Sequence, residues 1–159
     1  MPSLDETIAF IRQVHAGQTD KSGADYAEHP IAAMRRLPEG VDDAVRHAAL
    51  LHDVIEDTCI TRADLQRRGY SERVLAAVDL VTQAKDDIRP YGEKIAALIA
   101  SGNADALEVK LADMSENTAP ERLARLDPER RAFFEQKYAQ PLQALRKALG
   151  RDGEAISAT

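Results

Sequence analysis

The stretch AALLHDVIEDT, residues 48–58, decides how this chain is read. Apolar residues recur in it at helical spacing, yet His52, Asp53, Glu56 and Asp57 interrupt them. The spacing predicts one helix from Asp42, its cap, to about Asp57 or Thr58, with Val45, Ala48, Ala49, Leu51 and Val54 on its apolar side. In such a helix His52 and Glu56 are four residues apart, and so are Asp53 and Asp57. Residues four apart share a face, so an imidazole and three carboxylates fall on two adjacent stripes. Carboxylates this close raise one another's pKa unless a cation holds them ionised. A divalent metal does so, and imidazole with carboxylate suits first-row ions. A capped, solvated helix end with an ordinary buried His52 fits the same residues. The doubled pair HDxxED inside an apolar run favours chemistry.

A metal site needs ligands from elsewhere, and two segments can supply them. One is His29 in YAEHP, at the start of a second helix expected from Pro30 to the Pro38-Glu39-Gly40 break. The other is Asp113 in VKLADMSENT. There Lys110, Asp113 and Asn117 share one face of an otherwise apolar helix. A Lys110–Asp113 surface pair is the plain alternative, worth only a few tenths of a kcal/mol.

The remaining chain is helical by the same test. Ser3 or Asp5 caps a first helix carrying Leu4, Ile8, Ile11 and Val14, and Gly17 ends it. Residues 17–30 read as a loop with Gly17 and Gly23 at its turns. Thr61 with Asp64 forms a short capping pattern, and Ser71 opens a helix through Val74, Leu75, Val78 and Val81. Residues 90–100 and 104–117 give two more, and Asp127-Pro128 opens the last, through Phe133, Phe134, Tyr138 and Leu142. No β-alternation is visible. The expected architecture is all-α, one domain over residues 1–150, with a polar tail at 151–159.

Composition narrows the function. The chain has 159 residues, a net charge of −6 and 30% charged residues. An acidic chain lacks the basic face of a general nucleic-acid binder, so no nucleic-acid partner is expected. No run approaches the roughly 20 apolar residues of a membrane span. With one cysteine, Cys59, and no apolar signal core at the N-terminus, a cytoplasmic setting is expected and an intrachain disulfide is impossible.

HAGQTDKSGADYAEHP (15–30), AALLHDVIEDT (48–58) and VKLADMSENT (109–118), in this order, resemble the HD-domain metal-dependent phosphohydrolases. More narrowly, they resemble the hydrolase domain of the RelA/SpoT alarmone enzymes and their small stand-alone relatives, over about residues 4–147. The resemblance implies an HD-domain helical bundle. It places His29, His52, Asp53 and Asp113 on metal-ligand positions, with manganese as the usual ion. It places Glu56 and Asp57 on the acidic pair that activates water. Lys21, Ser22 and Asn117 fall at nucleotide-contacting positions, and Tyr26 lies beside them as a pocket residue. The implied reaction is hydrolysis of the 3′-pyrophosphate of guanosine tetra- or pentaphosphate. Asp20 and Met114 depart from this pattern, since alarmone hydrolases commonly carry arginines there. Two other readings follow: a phosphohydrolase acting on another nucleotide or phosphoester, and a metal- or nucleotide-binding regulatory module with little turnover.

Other polar and aromatic residues have plainer roles. His15 is expected to brace its loop, and His47 to be structural or exposed. Lys110 is expected to support a carboxylate rather than touch phosphate. Tyr91 and Lys94 could approach a substrate from a neighbouring helix, but read first as core edge and solvated surface; Phe133, Phe134 and Tyr138 read as packing of the last helix, where one of them could wall a base pocket. Arg62, Arg67, Arg68 and Arg73 read as a solvated face. Some apolar residues assigned to the core could instead serve a homodimer contact.

Overall fold

The computed structural model describes residues 1–20 and 23–151. Ten helical segments account for its regular structure, with one isolated antiparallel bridge, Thr19–Asp25, pinching the loop that follows the first helix. Helix α1 (Leu4–Val14) begins at a reciprocal cap: Glu6 N–H donates to Ser3 Oγ, and Ser3 N–H to the Glu6 carboxylate at 2.7 Å. Gly17 takes φ +81° just past its end and Gly23 φ +84° in the loop. Left-handed backbone there favours glycine.

Helices α2 (Glu28–Arg35) and α3 (Asp43–Leu51) follow, the latter capped by Asp42, which accepts from Ala44 N–H. The expected single helix from Asp42 to Asp57 is broken. His52 and Asp53 form a turn, and α4 (Val54–Asp57) resumes after Asp53 at φ −102°, ψ −6°. Asp57 N–H still bonds Asp53 C=O at 2.9 Å, so the break is confined to His52 and Asp53. Helix α5 (Arg62–Arg67) carries the Thr61–Asp64 capping box, and α6 (Glu72–Val81) starts from Ser71. Then come α7 (Tyr91–Ala100), α8 (Ala104–Asn117), the single turn α9 (Pro120–Leu123) and the long α10 (Pro128–Ala148).

Helix α8 is the axis of the bundle. It packs against α2, α3, α6 and α10, and its residues Val109 to Met114 are all buried. An axis enclosed on several sides explains how Lys110 and Asp113 come to lie inside. Leu50, Leu51, Val54, Leu75 and Leu145 are fully buried around it. Phe134 and Tyr138 pack inward as expected, but Phe133 does not: it is 58% exposed, because residues adjacent on a helix point to different faces. Arg62, Arg67 and Arg73 spend their charge on Glu72, Asp79, Asp64, Asp42 and Asp105, and Arg68 lies over the Phe10 ring. This is a paired, solvated surface. Residues 152–159, nearly all of the expected tail, lie outside the described residues, while Arg151 pairs with Glu108 at 2.6 Å. No described helix is long and apolar enough to cross a membrane.

Candidate metal centre and cleft

The turn at His52-Asp53 lies where α2, α3 and α8 meet. His52 Nδ1 is 2.7 Å from Ala49 C=O, in the preceding turn of α3. A carbonyl only accepts, so Nδ1 carries the hydrogen and Nε2 faces the carboxylates, where it takes either a proton or a metal cation. Nε2 is buried without a hydrogen-bond partner, 3.1 Å from Asp53 Oδ2 and 3.7 Å from Asp113 Oδ1. His29, from the first turn of α2, brings its Nε2 to 3.2 Å from Asp113 Oδ1 and 3.8 Å from Asp53 Oδ2. Ligands bound to one ion at about 2.1 Å lie roughly 3 Å apart, so this constellation matches a first-row divalent cation. His29, His52 and Asp53 form the mutually closest set, and Asp113 approaches both imidazoles from α8. An orphaned buried nitrogen aimed at two carboxylates is the donor set such an ion needs.

The electrostatics agree. Burial alone would lower the His52 imidazole, but Asp53 and Asp113 outweigh it and hold its pKa well above the ordinary value. Burial would raise Asp53 and Asp113, yet the cations beside them win and hold both carboxyls low. The cluster therefore favours a positive charge at its centre. Asp113 is further fixed by Lys110 Nζ at 2.8 Å on one oxygen and by Asn117 Nδ2 at 2.7 Å on the other. The Lys110–Asp113 pair is thus buried rather than on the surface. Asn117, expected to contact nucleotide, donates to Asp113 and lines the cleft.

The cleft over this centre has a volume of about 350 Å³. Glu56 and Asp57 both line it. Glu56 is half-buried and accepts from Gln83 N–H at 3.0 Å; burial lifts its pKa above 4.5 against that hydrogen bond. Tyr26 does more than shape the wall. Its hydroxyl lies 2.6 Å from Asp53 Oδ2 and 2.8 Å from Asp57 Oδ2, tying the metal-side carboxylate to the acidic pair. Burial, then the charge of Asp53, drives the Tyr26 phenol far above its ordinary pKa, so it stays a donor. His15 braces the loop as expected: its Nδ1 bonds Gln18 Oε1 at 2.8 Å, and Gln18 Nε2 donates to Asp57 C=O at 3.0 Å. Lys21 and Ser22 lie outside the described residues.

Two cleft residues, Gln83 and Lys137, carried no readable signal in the sequence. Gln83 holds Glu56 from the end of α6. Lys137 lies over the Tyr91 ring at 4.6 Å and the Tyr138 ring at 5.0 Å, a cation supplied from α10. Tyr91, expected at the core edge, lines the cleft with its pKa raised by burial to about 12. Lys94 is not simply solvated; it donates to Gln83 Oε1 and Asp87 C=O and holds the segment between α6 and α7. Asp20 lines the cleft, with its carboxylate 3.4 Å from Arg122 and accepting from Ala24 N–H. Met114 is fully buried in the core, so the missing arginine at 114 removes nothing from the cleft.

The HD-domain family profile matches residues 7–101, a span that contains His29, His52 and Asp53. The chain belongs to the HD-domain family. Among curated proteins, a Vibrio cholerae guanosine-3′,5′-bis(diphosphate) 3′-pyrophosphohydrolase is 33% identical over 137 residues, covering 81% of this HD-domain chain and 19% of that relative. The bifunctional (p)ppGpp synthase/hydrolase SpoT of Escherichia coli is 31% identical over 155 residues, covering 92% of this chain and 22% of its own length. The chain therefore spans about a fifth of these relatives. A metazoan ortholog of SpoT, described as hydrolysing ppGpp, superposes with a TM-score of 0.68 at 24% identity, covering 95% of this chain and 98% of its own. That likeness establishes the fold, an HD-domain helical bundle.

Proposed function

We propose that this HD-domain chain is a metal-dependent phosphohydrolase that removes the 3′-pyrophosphate of guanosine tetra- or pentaphosphate. The observation that carries the reading is the convergence of His29, His52, Asp53 and Asp113 beneath a cleft walled by Glu56 and Asp57. The 3′-pyrophosphohydrolase named among the relatives supports the substrate. Manganese, or another divalent ion, is the metal that the resemblance to the alarmone hydrolases implies, and a mixed imidazole and carboxylate set accommodates it. When bound, such an ion supplies Lewis acidity and a water of lowered pKa.

The chain's own residues do the rest. Glu56, with its raised pKa, takes the proton of the attacking water. Tyr26 holds Asp57 and Asp53 at fixed separation, so the acidic pair and the metal side stay in register. Lys110, in the cleft wall, offsets the charge of Asp113. Lys137 offers the phosphoryl oxygens a cation from α10. Water adds to phosphorus, the bond from phosphorus to the ribose 3′ oxygen breaks, and the proton that Glu56 took from the water passes to that oxygen, so pyrophosphate and a nucleotide with a free 3′ hydroxyl are released. A cytoplasmic setting, where nucleotides of this kind are made, fits the reading.

A second reading, hydrolysis of another nucleotide, draws on Asp20, which places a carboxylate in the cleft wall. The deciding assay is pyrophosphate release from guanosine tetraphosphate beside ordinary nucleoside mono-, di- and triphosphates, with manganese or with chelator. Manganese-dependent pyrophosphate release from the tetraphosphate is expected. Turnover of the other nucleotides alone would replace the first reading by the second.

A further inference from the structure

The acidic pair stands on α4, a helix of only four residues. One turn has too few internal hydrogen bonds to hold its own shape, and its last carbonyls have no partner within it. The pair also faces a polyanion, which repels both carboxylates as it enters the cleft. What keeps Glu56 and Asp57 in the wall must therefore come from outside α4. Glu56 is held by the Gln83 N–H. Asp57 is held at two points by the loop that follows α1. Tyr26 Oη donates to its Oδ2 at 2.8 Å, and Gln18 Nε2 donates to its main-chain carbonyl at 3.0 Å.

The Gln18 bond is set from behind by His15. The Asp57 carbonyl only accepts, so the amide nitrogen of Gln18 faces it and Oε1 faces His15. Oε1 only accepts in turn, so His15 Nδ1, 2.8 Å away, carries the hydrogen. The donors run one way, from His15 to Gln18 to Asp57. His15 is fully buried, and its Nε2 has no hydrogen-bond partner among the described residues. A buried polar atom left unpaired is unfavourable. An apolar side chain would fill the same space without that penalty, so the bond made by Nδ1 is what explains an imidazole here. The His15 ring also lies 5.0 Å from the Tyr26 ring, and Tyr26 N–H bonds Gln18 C=O at 3.0 Å. Both grips on Asp57 thus share His15 as their support. Neither His15 nor Gln18 lines the cleft.

We propose that His15 and Gln18 are positioning residues for the hydrolysis: they fix the Asp57 main chain and so hold Glu56 and Asp57 in the cleft wall against the charge of the incoming nucleotide. The inference rests on the functional reading above and deepens it. Gln18 acts through an uncharged contact with the backbone, so it sets where the pair stands without changing its charge. Its effect belongs to turnover, whereas Tyr26 also touches Asp53 and reaches the metal side.

The test compares Gln18→Met, His15→Leu and His15→Asn with wild type. Methionine keeps the length of Gln18 and removes both side-chain hydrogen bonds. Asparagine can donate from near the Nδ1 position, and leucine cannot. With guanosine tetraphosphate and manganese, Gln18→Met and His15→Leu should lower kcat roughly tenfold and leave KM within about twofold. Manganese affinity and stoichiometry by titration calorimetry should match wild type, which excludes a loss of folded protein. His15→Asn should recover most of the loss. The double variant Gln18→Met/His15→Leu should be no slower than Gln18→Met alone, because the two residues act in series. Equal losses in His15→Asn and His15→Leu, additive losses in the double variant, or a change in KM or metal affinity in place of kcat overturns the proposal. Gln18 is only half-buried, so Gln18→Met decides by itself if His15→Leu does not fold. A second arm needs no substrate: amide hydrogen exchange over residues 54–60 should be several-fold faster in Gln18→Met than in wild type, with exchange over α8 unchanged. Unchanged exchange over 54–60 overturns the grip on Asp57. Failure of wild type to hydrolyse the tetraphosphate would instead sink the functional reading, and the exchange arm would still judge the grip.

Discussion

The Tyr26 hydroxyl sits 2.6 Å from Asp53 Oδ2, so the loop after α1 grips the turn between α3 and α4 at the candidate metal centre. The same hydroxyl reaches Asp57 Oδ2 at 2.8 Å. Tyr26→Phe removes this donor and little else. Outer hydrogen bonds to metal-binding carboxylates typically sustain 10–100-fold in affinity or activity. Manganese affinity is therefore expected to fall roughly tenfold, with a parallel loss of turnover. Titration calorimetry with manganese, beside a pyrophosphate-release assay, checks both. Unchanged affinity would mean that Asp53 needs no outside orientation.

Asp53 and Glu56 should separate cleanly. Asp53→Ala takes a carboxylate from between the imidazoles and is expected to abolish both manganese binding and activity. Glu56→Gln keeps the shape and leaves the four metal-side groups in place, so manganese should bind while kcat falls about 100-fold or more. Metal content of the purified variants and single-turnover rates make the comparison. A Glu56→Gln protein with wild-type turnover would remove Glu56 from its role.

Lys110 is a buried cation whose pKa is raised, since Asp113 outweighs the burial that alone would lower it. Lys110→Met leaves the Asp113 carboxylate buried without its nearest cation. Breaking one side of a buried ion pair costs about 3–5 kcal/mol. Urea unfolding in chelator should show a loss of that order, and manganese should restore more stability to the variant than to wild type. A variant as stable as wild type would mean that Asn117 and the imidazoles suffice for Asp113.

A pH effect belongs to His47, far from the cleft. It is buried against Thr7 Oγ1 at 2.9 Å, which also meets Tyr70 Oη at 2.9 Å. Burial lowers its pKa below 6.5, with Asp43 pulling the other way. A depressed histidine pKa means the unfolded chain binds the proton more readily. Stability is then full above about pH 6.5 and is lost as pH falls through the folded-state value. His47→Gln should flatten the part of the urea midpoint's pH dependence between pH 7.5 and 5 that this residue contributes. An identical slope in wild type and variant would assign the dependence elsewhere.

Periodicity, caps and punctuation were legible along the chain because they are local. Ser3, Asp42, Thr61, Ser71 and Asp127 each cap the helix they precede, and the VKLAD surface is buried where its apolar neighbours predicted. The doubled pair HDxxED, with His29 upstream and Asp113 downstream, marked the centre because four ionisable side chains in apolar surroundings need compensation. The break at His52-Asp53 was not legible, since helical spacing continues across it and a two-residue turn leaves no signature in composition.

The sequence by itself determined a helical chain with an imidazole and carboxylate cluster, since these follow from residue spacing and the cost of burying charge. Only the tertiary structure decided which groups serve that cluster. Tyr26 meets Asp53 across 27 positions, and Arg122 meets Asp20 from the far wall of the cleft. Asn117 turns to Asp113, Lys137 reaches over Tyr91, and Met114 withdraws into the core. Such pairings depend on how α2, α8, α9 and α10 pack around one another, and a contact between distant segments imposes no period on either.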